Sequence, residues 1–465
     1  MMATHVDDFL FAHTEESAYI VKQIWDELHL GSEEEAEFRF CGKEFVQSLS
    51  TFDIRIFCKA TAAKLHFIRL SKERSKQVED PLLNDEHEEF MSVVGSLMWI
   101  GRSCRPGIAY RVSELQTALK KPVIEDVMKC NRVVKYIKEE QPDECLTFLS
   151  GAIRWPSVPG APIEICVASV SDASHGSEDE YLPLEDVREP FRSQGAKLNF
   201  LAGEEMLTTE AAGLHVISFG SNIVRRVCNS TIKAETYQLQ LVVENGDLVR
   251  ASIADAHGLL DRTDWEASAA SFCLQVWFTD CMSCHQTLQK PIQSKGMDKR
   301  LGIELAALRQ CLWRSAGEGR ADPRLYDALP MNPTDICRWI DTLVMIADPL
   351  TKAMKCDELM RVLNTNYWCW AQPENAKQIK QKKQAQRRVA KDKKQAADEP
   401  KVDSDHDRDP RQDEETKDLD RDPRQALVAY EASSGASTQC SAGSSRSPAL
   451  PPIQSIQGRR FGSLM

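Results

Sequence analysis

The chain has 465 residues, 42% of them hydrophobic, and a formal charge of −12 at pH 7, which suits two or three globular domains with a polar tail. That acidic balance excludes a generally basic nucleic-acid binder, but not a local basic stripe or carboxylates that meet phosphate through metal ions. Fifteen scattered cysteines without a secretory leader, and no apolar run of about 18 residues, predict an intracellular protein, cytoplasmic or nuclear, neither secreted nor membrane-spanning.

The first helix is expected over 17–30, where Ile20, Ile24, Leu28 and Leu30 recur at helical spacing and Gly31 is the stop. Residues 38–47, FRFCGKEFVQ, alternate like a strand through a Cys-Gly turn. Helical texture fills 87–120, with Pro106 at a helix start, and again 127–140. From about residue 161 the texture turns to strands, PIEICVASVSDAS, AKLNFLAG and LHVISFGSNIVRRV. A long helix (230–260), a strand FCLQVWFTD, a helix (298–313), a strand DICRWIDTL and a last helix (346–363) complete the pattern. Three strands followed by alternating helices and strands predict an α/β (α+β) domain with a mixed sheet.

Composition breaks after about residue 372. Residues 377–394 carry nine basic side chains against one acid, Asp392, and the pentapeptide RDPRQ occurs at 408–412 and 421–425. Too few apolar groups remain to offset chain ordering, so 373–465 is expected to be disordered. Its basic run reads either as a nuclear-localisation or nucleic-acid patch or as a solvated charged tail.

Four acids occupy special places. Asp172 closes an apolar strand, Glu235 lies early in the long helix, Asp280 ends the strand LQVWFTD, and Asp348 opens the last helix. Strand ends and helix starts hold several oxygens rigidly together, as a magnesium site requires. Each acid taken alone also reads as a turn or cap residue. The Cys281-x-x-Cys284-His285 run lacks a second ligand pair and reads as packing or surface.

The segment EFMSVVGSLMWIGRSCRPGIAYRVSEL (89–115) resembles the connecting segment of copia-type retrotransposon polyproteins, where Val-Gly-Ser-Leu-Met leads into Arg-Pro-x-Ile-Ala-Tyr. Downstream, SDAS, TIKAETYQL, FTDCMS and WIDTLVMIADPLTKAM resemble the motifs of the ribonuclease H domain in the same polyproteins, and FRSQGAKLNFLAG the hairpin that follows its first catalytic strand. Near the start, THVDDFLFAH resembles the Asp-Asp hairpin of a reverse transcriptase palm, with His5 where an aromatic residue is usual. The resemblance spans about residues 4–355.

The resemblance implies a partial reverse transcriptase palm (1–85), a helical thumb or connection (86–160), a ribonuclease H-like domain with a mixed sheet and flanking helices (161–372), and the tail. It implies that Asp172, Glu235, Asp280 and Asp348 hold two magnesium or manganese ions and hydrolyse RNA in an RNA–DNA hybrid, with nucleic acid and the remainder of a retroelement polyprotein as partners. Asp7 and Asp8 match the palm's metal ligands, but the upstream aspartate and fingers do not fit before them. Polymerase activity is therefore expected to be lost through truncation, unless a separate chain supplies the fingers. Lys233, Arg225 and Arg226 read either as phosphate contacts or as solvated charges. An acidic stretch after Asp172, Gly302 where the family commonly has Asp, and a longer 240–270 region depart from the pattern. These departures keep open a second reading, an inactive remnant that binds nucleic acid or protein without catalysis.

Overall fold

The computed structural model describes residues 2–5, 8–13, 15–31, 33–153, 165–175, 193–290, 298–312 and 335–379, with 381 and 385. All fall within one unit, residues 1–391. Expectations placed on Asp7, on most of the acidic stretch after Asp172, on nearly all of the basic run 377–394 and on both RDPRQ repeats lie outside the described residues.

Strands β1 (Met2–His5) and β2 (Asp8–Phe11) form an antiparallel hairpin. Helix α1 (Ala18–Leu28) follows and ends at His29, whose left-handed φ of 52° stops it short of the expected Gly31. In the hairpin of β3 (Glu37–Phe40) and β4 (Lys43–Gln47), Cys41 and Gly42 take φ of 49° and 71°, the two positive values that a type I′ turn requires. Next come β5 (Ile54–Phe57), α2 (Lys59–Lys64), α3 (Asn84–Ser103), α4 (Ala109–Ala118) and α5 (Ile124–Lys135). Pro106 opens the 3-10 turn that leads into α4, where its missing N–H costs nothing. A short strand, β6 (Leu146–Phe148), returns to β5 and completes a four-stranded antiparallel sheet in the order β3-β4-β5-β6.

The second sheet carries the acids. It begins with β7 (Ile165–Ser174), β8 (Gln194–Gly203), a turn of helix α6 (Glu205–Thr208) and β9 (Ala211–Ile223), an antiparallel meander. Helices α7 (Thr231–Ala256) and α8 (Trp265–Phe272) precede β10 (Leu274–Thr279). Then follow α9 (Met282–Gln289), α10 (Lys299–Leu312), β11 (Ile336–Trp339), α11 (Asp357–Thr365) and β12 (Tyr367–Cys369). The strand order is β11-β10-β7-β8-β9-β12, with β10 parallel to both β7 and β11. This mixed sheet with helices on both faces is the α/β, ribonuclease H-like arrangement expected.

The two faces differ in chemistry. Cys166, Ala168 and Val170 of β7 and Leu198 and Phe200 of β8 join the main core with Phe90, Leu97, Val112 and Val134 of α3, α4 and α5. Each such fully buried Leu, Val or Phe contributes about 1.5–3 kcal/mol. On the other face, polar side chains anchor α7. Gln238 Nε2 donates to the Ala196 carbonyl (2.8 Å), Asn199 Nδ2 to that of Val242 (3.0 Å) and Gln275 Nε2 to that of Val243 (3.2 Å). Gly246 makes this approach possible, because a Cβ there would collide with Gln275 Nε2 and Ser169 Oγ.

One expected element is corrected. The last helix does not begin at Asp348: Asp348–Leu350 form a single 3-10 turn, irregular chain follows, and α11 starts at Asp357. Thr351 Oγ1 turns back to the Asp348 carbonyl (3.0 Å) and closes the turn on itself. Among the described residues no helix is long and apolar enough to cross a membrane.

Candidate metal centre

Strand β7 is the point where pairing switches, antiparallel to β8 and parallel to β10. Open α/β sheets bind ligands outside the carboxyl ends of strands at such a switch. Val170 pairs with Phe278, and two residues further along each strand stand Asp172 and Asp280. Glu235 comes from α7, one turn before the Gln238 that pins the helix to β8. One carboxylate oxygen of each of Asp172, Glu235 and Asp280 lies within 4.8 Å of the others. Asp172 and Glu235 are each 4% exposed, and Asp280 is partly buried.

Three carboxylates at this spacing oppose one another's ionisation. Burial, then the charges of Asp348 and Asp280, raise the Asp172 carboxyl to about 7, against the Thr351 hydrogen bond and Lys352. Burial and Asp348 raise Asp280 to about 6, again opposed by Lys352. Burial, Asp172 and Asp280 push Glu235 well above the usual carboxylate range, although it accepts the Ala173 N–H. Its Oε2 is buried with no hydrogen-bond partner. An unpartnered buried oxygen beside two further carboxylates is a donor set that suits a hard divalent cation such as magnesium or manganese.

Asp348 stands next to this group but outside the set within 4.8 Å. Its Oδ1 is held by Lys352 Nζ at 2.7 Å, an i, i+4 ion pair. Asp8 is exposed at the start of β2 and is no part of the cluster, and its neighbour Asp7 lies outside the described residues. Of the expected phosphate contacts, Lys233 is paired with Asp298 (2.8 Å) and Arg226 with Glu304 while lying over the Tyr237 ring; Arg225 is exposed. Cys284 is buried among Leu239, Trp277 and Leu305, and neither it nor Cys281 belongs to a group able to hold a metal among the described residues. A cavity of about 510 Å³ lined by Leu65, His66, Phe67, Arg69, Glu89 and Lys138 contains none of Asp172, Glu235, Asp280 and Asp348.

Sequence reasoning missed three residues. Thr351 donates from Oγ1 to Asp172 Oδ2 (2.5 Å), and Lys352 faces Asp348, Asp172 and Asp280. Both stand in the ADPLTK motif, which had yielded only its aspartate. Asp341 lies two residues past the end of β11, and its buried carboxylate accepts from Leu343 N–H and Gln372 Nε2, both at 3.0 Å. Its charge adds to that on Asp280.

The sheet order and the acids at the switch point define a ribonuclease H-like domain in fold. No family model matches the chain, and no curated protein does. Among solved structures it is similar to a foamy viral protease-reverse transcriptase in complex with double-stranded DNA, at 11% identity and a TM-score of 0.34 over 73% of this chain and 55% of the other. It is also similar to the dRH form of that protein with double-stranded DNA, at 10% identity and a TM-score of 0.35 over 73% of this chain and 46% of the other. The chain thus spans about half the length of the structures it matches.

Proposed function

We propose that this chain is of the copia-type retroelement reverse transcriptase–ribonuclease H kind and hydrolyses the RNA strand of RNA–DNA hybrids with magnesium or manganese. The observation that carries the reading is the cluster of Asp172, Glu235 and Asp280 at the switch point of the sheet, with Glu235 Oε2 buried and unpartnered. Those three carboxylates would hold the metal, with Asp348 as a fourth candidate. When bound, divalent ions supply water activation and neutralise charge on the phosphate. The chain's own part is placement. Thr351 keeps Asp172 oriented and ionisable, and the Asp280 carbonyl is fixed by Trp339 Nε1 at 2.9 Å. The same reading assigns residues 1–85 to part of a palm, 86–160 to a connection, 161–372 to the ribonuclease H-like domain and 373–465 to a charged tail.

The test is cleavage of a labelled RNA–DNA hybrid in magnesium by the full chain. Wild type should cut, and Asp172→Asn and Glu235→Gln should each lose about 100-fold or more. No cutting by wild type, or equal cutting by all three, overturns the reading. A second reading, an inactive module that binds nucleic acid or protein, is favoured by Asp348 being held by Lys352 and by Lys233 and Arg226 being paired with Asp298 and Glu304. Salt-sensitive binding of the hybrid without turnover would select it.

A further inference from the structure

We propose that Lys352 is a built-in counter-ion of the acid cluster, holding Asp348 out of the ligand set so that the free chain binds one divalent cation, on Asp172, Glu235 and Asp280. A second ion then enters only when the Lys352 ammonium is displaced. The proposal rests on the divalent-cation reading of the site. It departs from the expectation of two ions on four equivalent acids.

Three observations carry it. First, the carboxylates divide: Asp172, Glu235 and Asp280 converge within 4.8 Å, whereas Asp348 stands outside that set with its Oδ1 on Lys352 Nζ. Second, the pair is held in place by its neighbour. Thr351 binds the Asp172 carboxylate and the Asp348 carbonyl with the same hydroxyl, and its own carbonyl accepts from Ser174 Oγ at 3.2 Å. The backbone that carries Lys352 is therefore tied to the end of β7. Third, the Lys352 side chain is 50% exposed while that of Asp348 is 14% exposed. The ammonium reaches the acids from the solvent side and can leave on its flexible stem without unpacking the core. A positive charge so placed repels an incoming cation at Asp348. It also neutralises part of the cluster, since Asp172 and Asp280 both feel it.

Mn2+ titration of the full chain near neutral pH tests this, with free Mn2+ followed by electron paramagnetic resonance and heat by calorimetry. Wild type should bind one Mn2+ per chain, with any second ion at least tenfold weaker. Lys352→Met should bind two, the second tightened about tenfold or more, and Lys352→Arg should keep the wild-type stoichiometry. Lys352→Gln, polar and uncharged, repeats the measurement should the methionine variant fail to fold by circular dichroism. Glu235→Gln should lose the first ion. Two ions of equal affinity in wild type, or a single ion in both wild type and the uncharged variants, overturn the role of Lys352 alone. No Mn2+ bound by wild type or by the uncharged variants overturns the divalent-cation reading together with it.

Discussion

Thr351 Oγ1 donates a hydrogen bond to Asp172 Oδ2 at 2.5 Å, joining two residues 179 positions apart in sequence. The bond draws the irregular turn after Asp348 onto the central strand, and it is among the influences that hold the Asp172 acid down against burial. Hydrogen bonds to charged groups contribute about 1.5–3 kcal/mol. Thr351→Val should therefore raise the Asp172 pKa above about 7. At pH 7 more of the acid is then protonated and unable to hold a cation. Hybrid cleavage should fall by about tenfold or more at neutral pH and recover in part at alkaline pH, while Thr351→Ser keeps the wild-type profile. A pH–rate profile that is the same for valine and threonine rules this out.

The raised acids also set a direction for stability. Asp172 titrates near 7 in the folded chain against an ordinary value of 3.8, Asp280 near 6, and Glu235 well above 4.5. A carboxyl whose folded value is raised favours the fold while it is protonated, and that contribution is lost as pH rises through the folded value. In chelator, the melting temperature should fall between about pH 4 and pH 7.5 through these groups. Magnesium or manganese should restore it at the upper end, since a cation bound only to the native state adds stability. Asp172→Asn should melt higher than wild type in chelator at pH 7.5 and should lose most of its response to metal. Thermal unfolding by circular dichroism decides: a variant no more stable than wild type at pH 7.5 in chelator removes the argument.

Much of this site could be read in advance because an apolar run has an end. Asp172 and Asp280 are where the hydrophobic strands β7 and β10 stop, and both strands are local enough to read from composition. The length and texture of α7 marked the helix that carries Glu235, but the glutamate itself was singled out by the resemblance of TIKAETYQL. Strands β5, β6 and β12 carried no such signal. Each is three or four residues long, and Ile54 of β5 finds Phe148 of β6 only after four helices have intervened. Helix α8 was hidden in alanine and serine, its start marked only by Asp264 accepting the Ala267 N–H at 3.4 Å. Asp348 was located by its motif, but its pairing was not. Lys352 lies four residues on, a spacing that means proximity on any helical turn. Whether that lysine or a metal claims the carboxylate depends on where the turn sits against β7, which is tertiary information.

Gly246 offers a test of how closely α7 must approach the strands. A Cβ there would enter Gln275 Nε2 and Ser169 Oγ, two atoms already bonded to each other at 2.7 Å. Gly246→Ala would ordinarily gain helix propensity, but here overpacking should cost about 1–3 kcal/mol. Gln275→Ala in the same chain should recover part of the loss by removing the nearer obstacle. Urea unfolding of wild type and the two variants measures both effects, and a Gly246→Ala chain more stable than wild type would mean that the helix does not lie this close.

Arg250 and Asp335 form a fully buried ion pair beneath the same helix, with Nη1 to Oδ1 at 2.8 Å and Nη2 to Oδ2 at 3.3 Å. Asp335 Oδ1 also accepts the Gln275 N–H at 3.0 Å, so the pair joins α7 to the start of β10 and to the residue that precedes β11. Removing one partner of a buried pair leaves a charge without compensation and costs about 3–5 kcal/mol, more than the net worth of the pair itself. Arg250→Met should lose about that much at pH 7.5. Burial already raises Asp335, and without the guanidinium it should rise further and take up a proton. A raised acid favours the fold only while protonated, so the deficit of the variant should shrink toward pH 5. Arg250 Nη2 also meets Asp247 Oδ1 at 2.5 Å, so Arg250→Met strands two carboxylates. Asp335→Asn added to Arg250→Met keeps an acceptor for the Gln275 N–H and removes the more deeply buried of those two charges. The double variant should recover part of the loss at pH 7.5 and depend less on pH than the single one, Asp247 remaining as the titrating acid. A double variant no better than the single one would place the cost of Arg250→Met in lost packing rather than in charge.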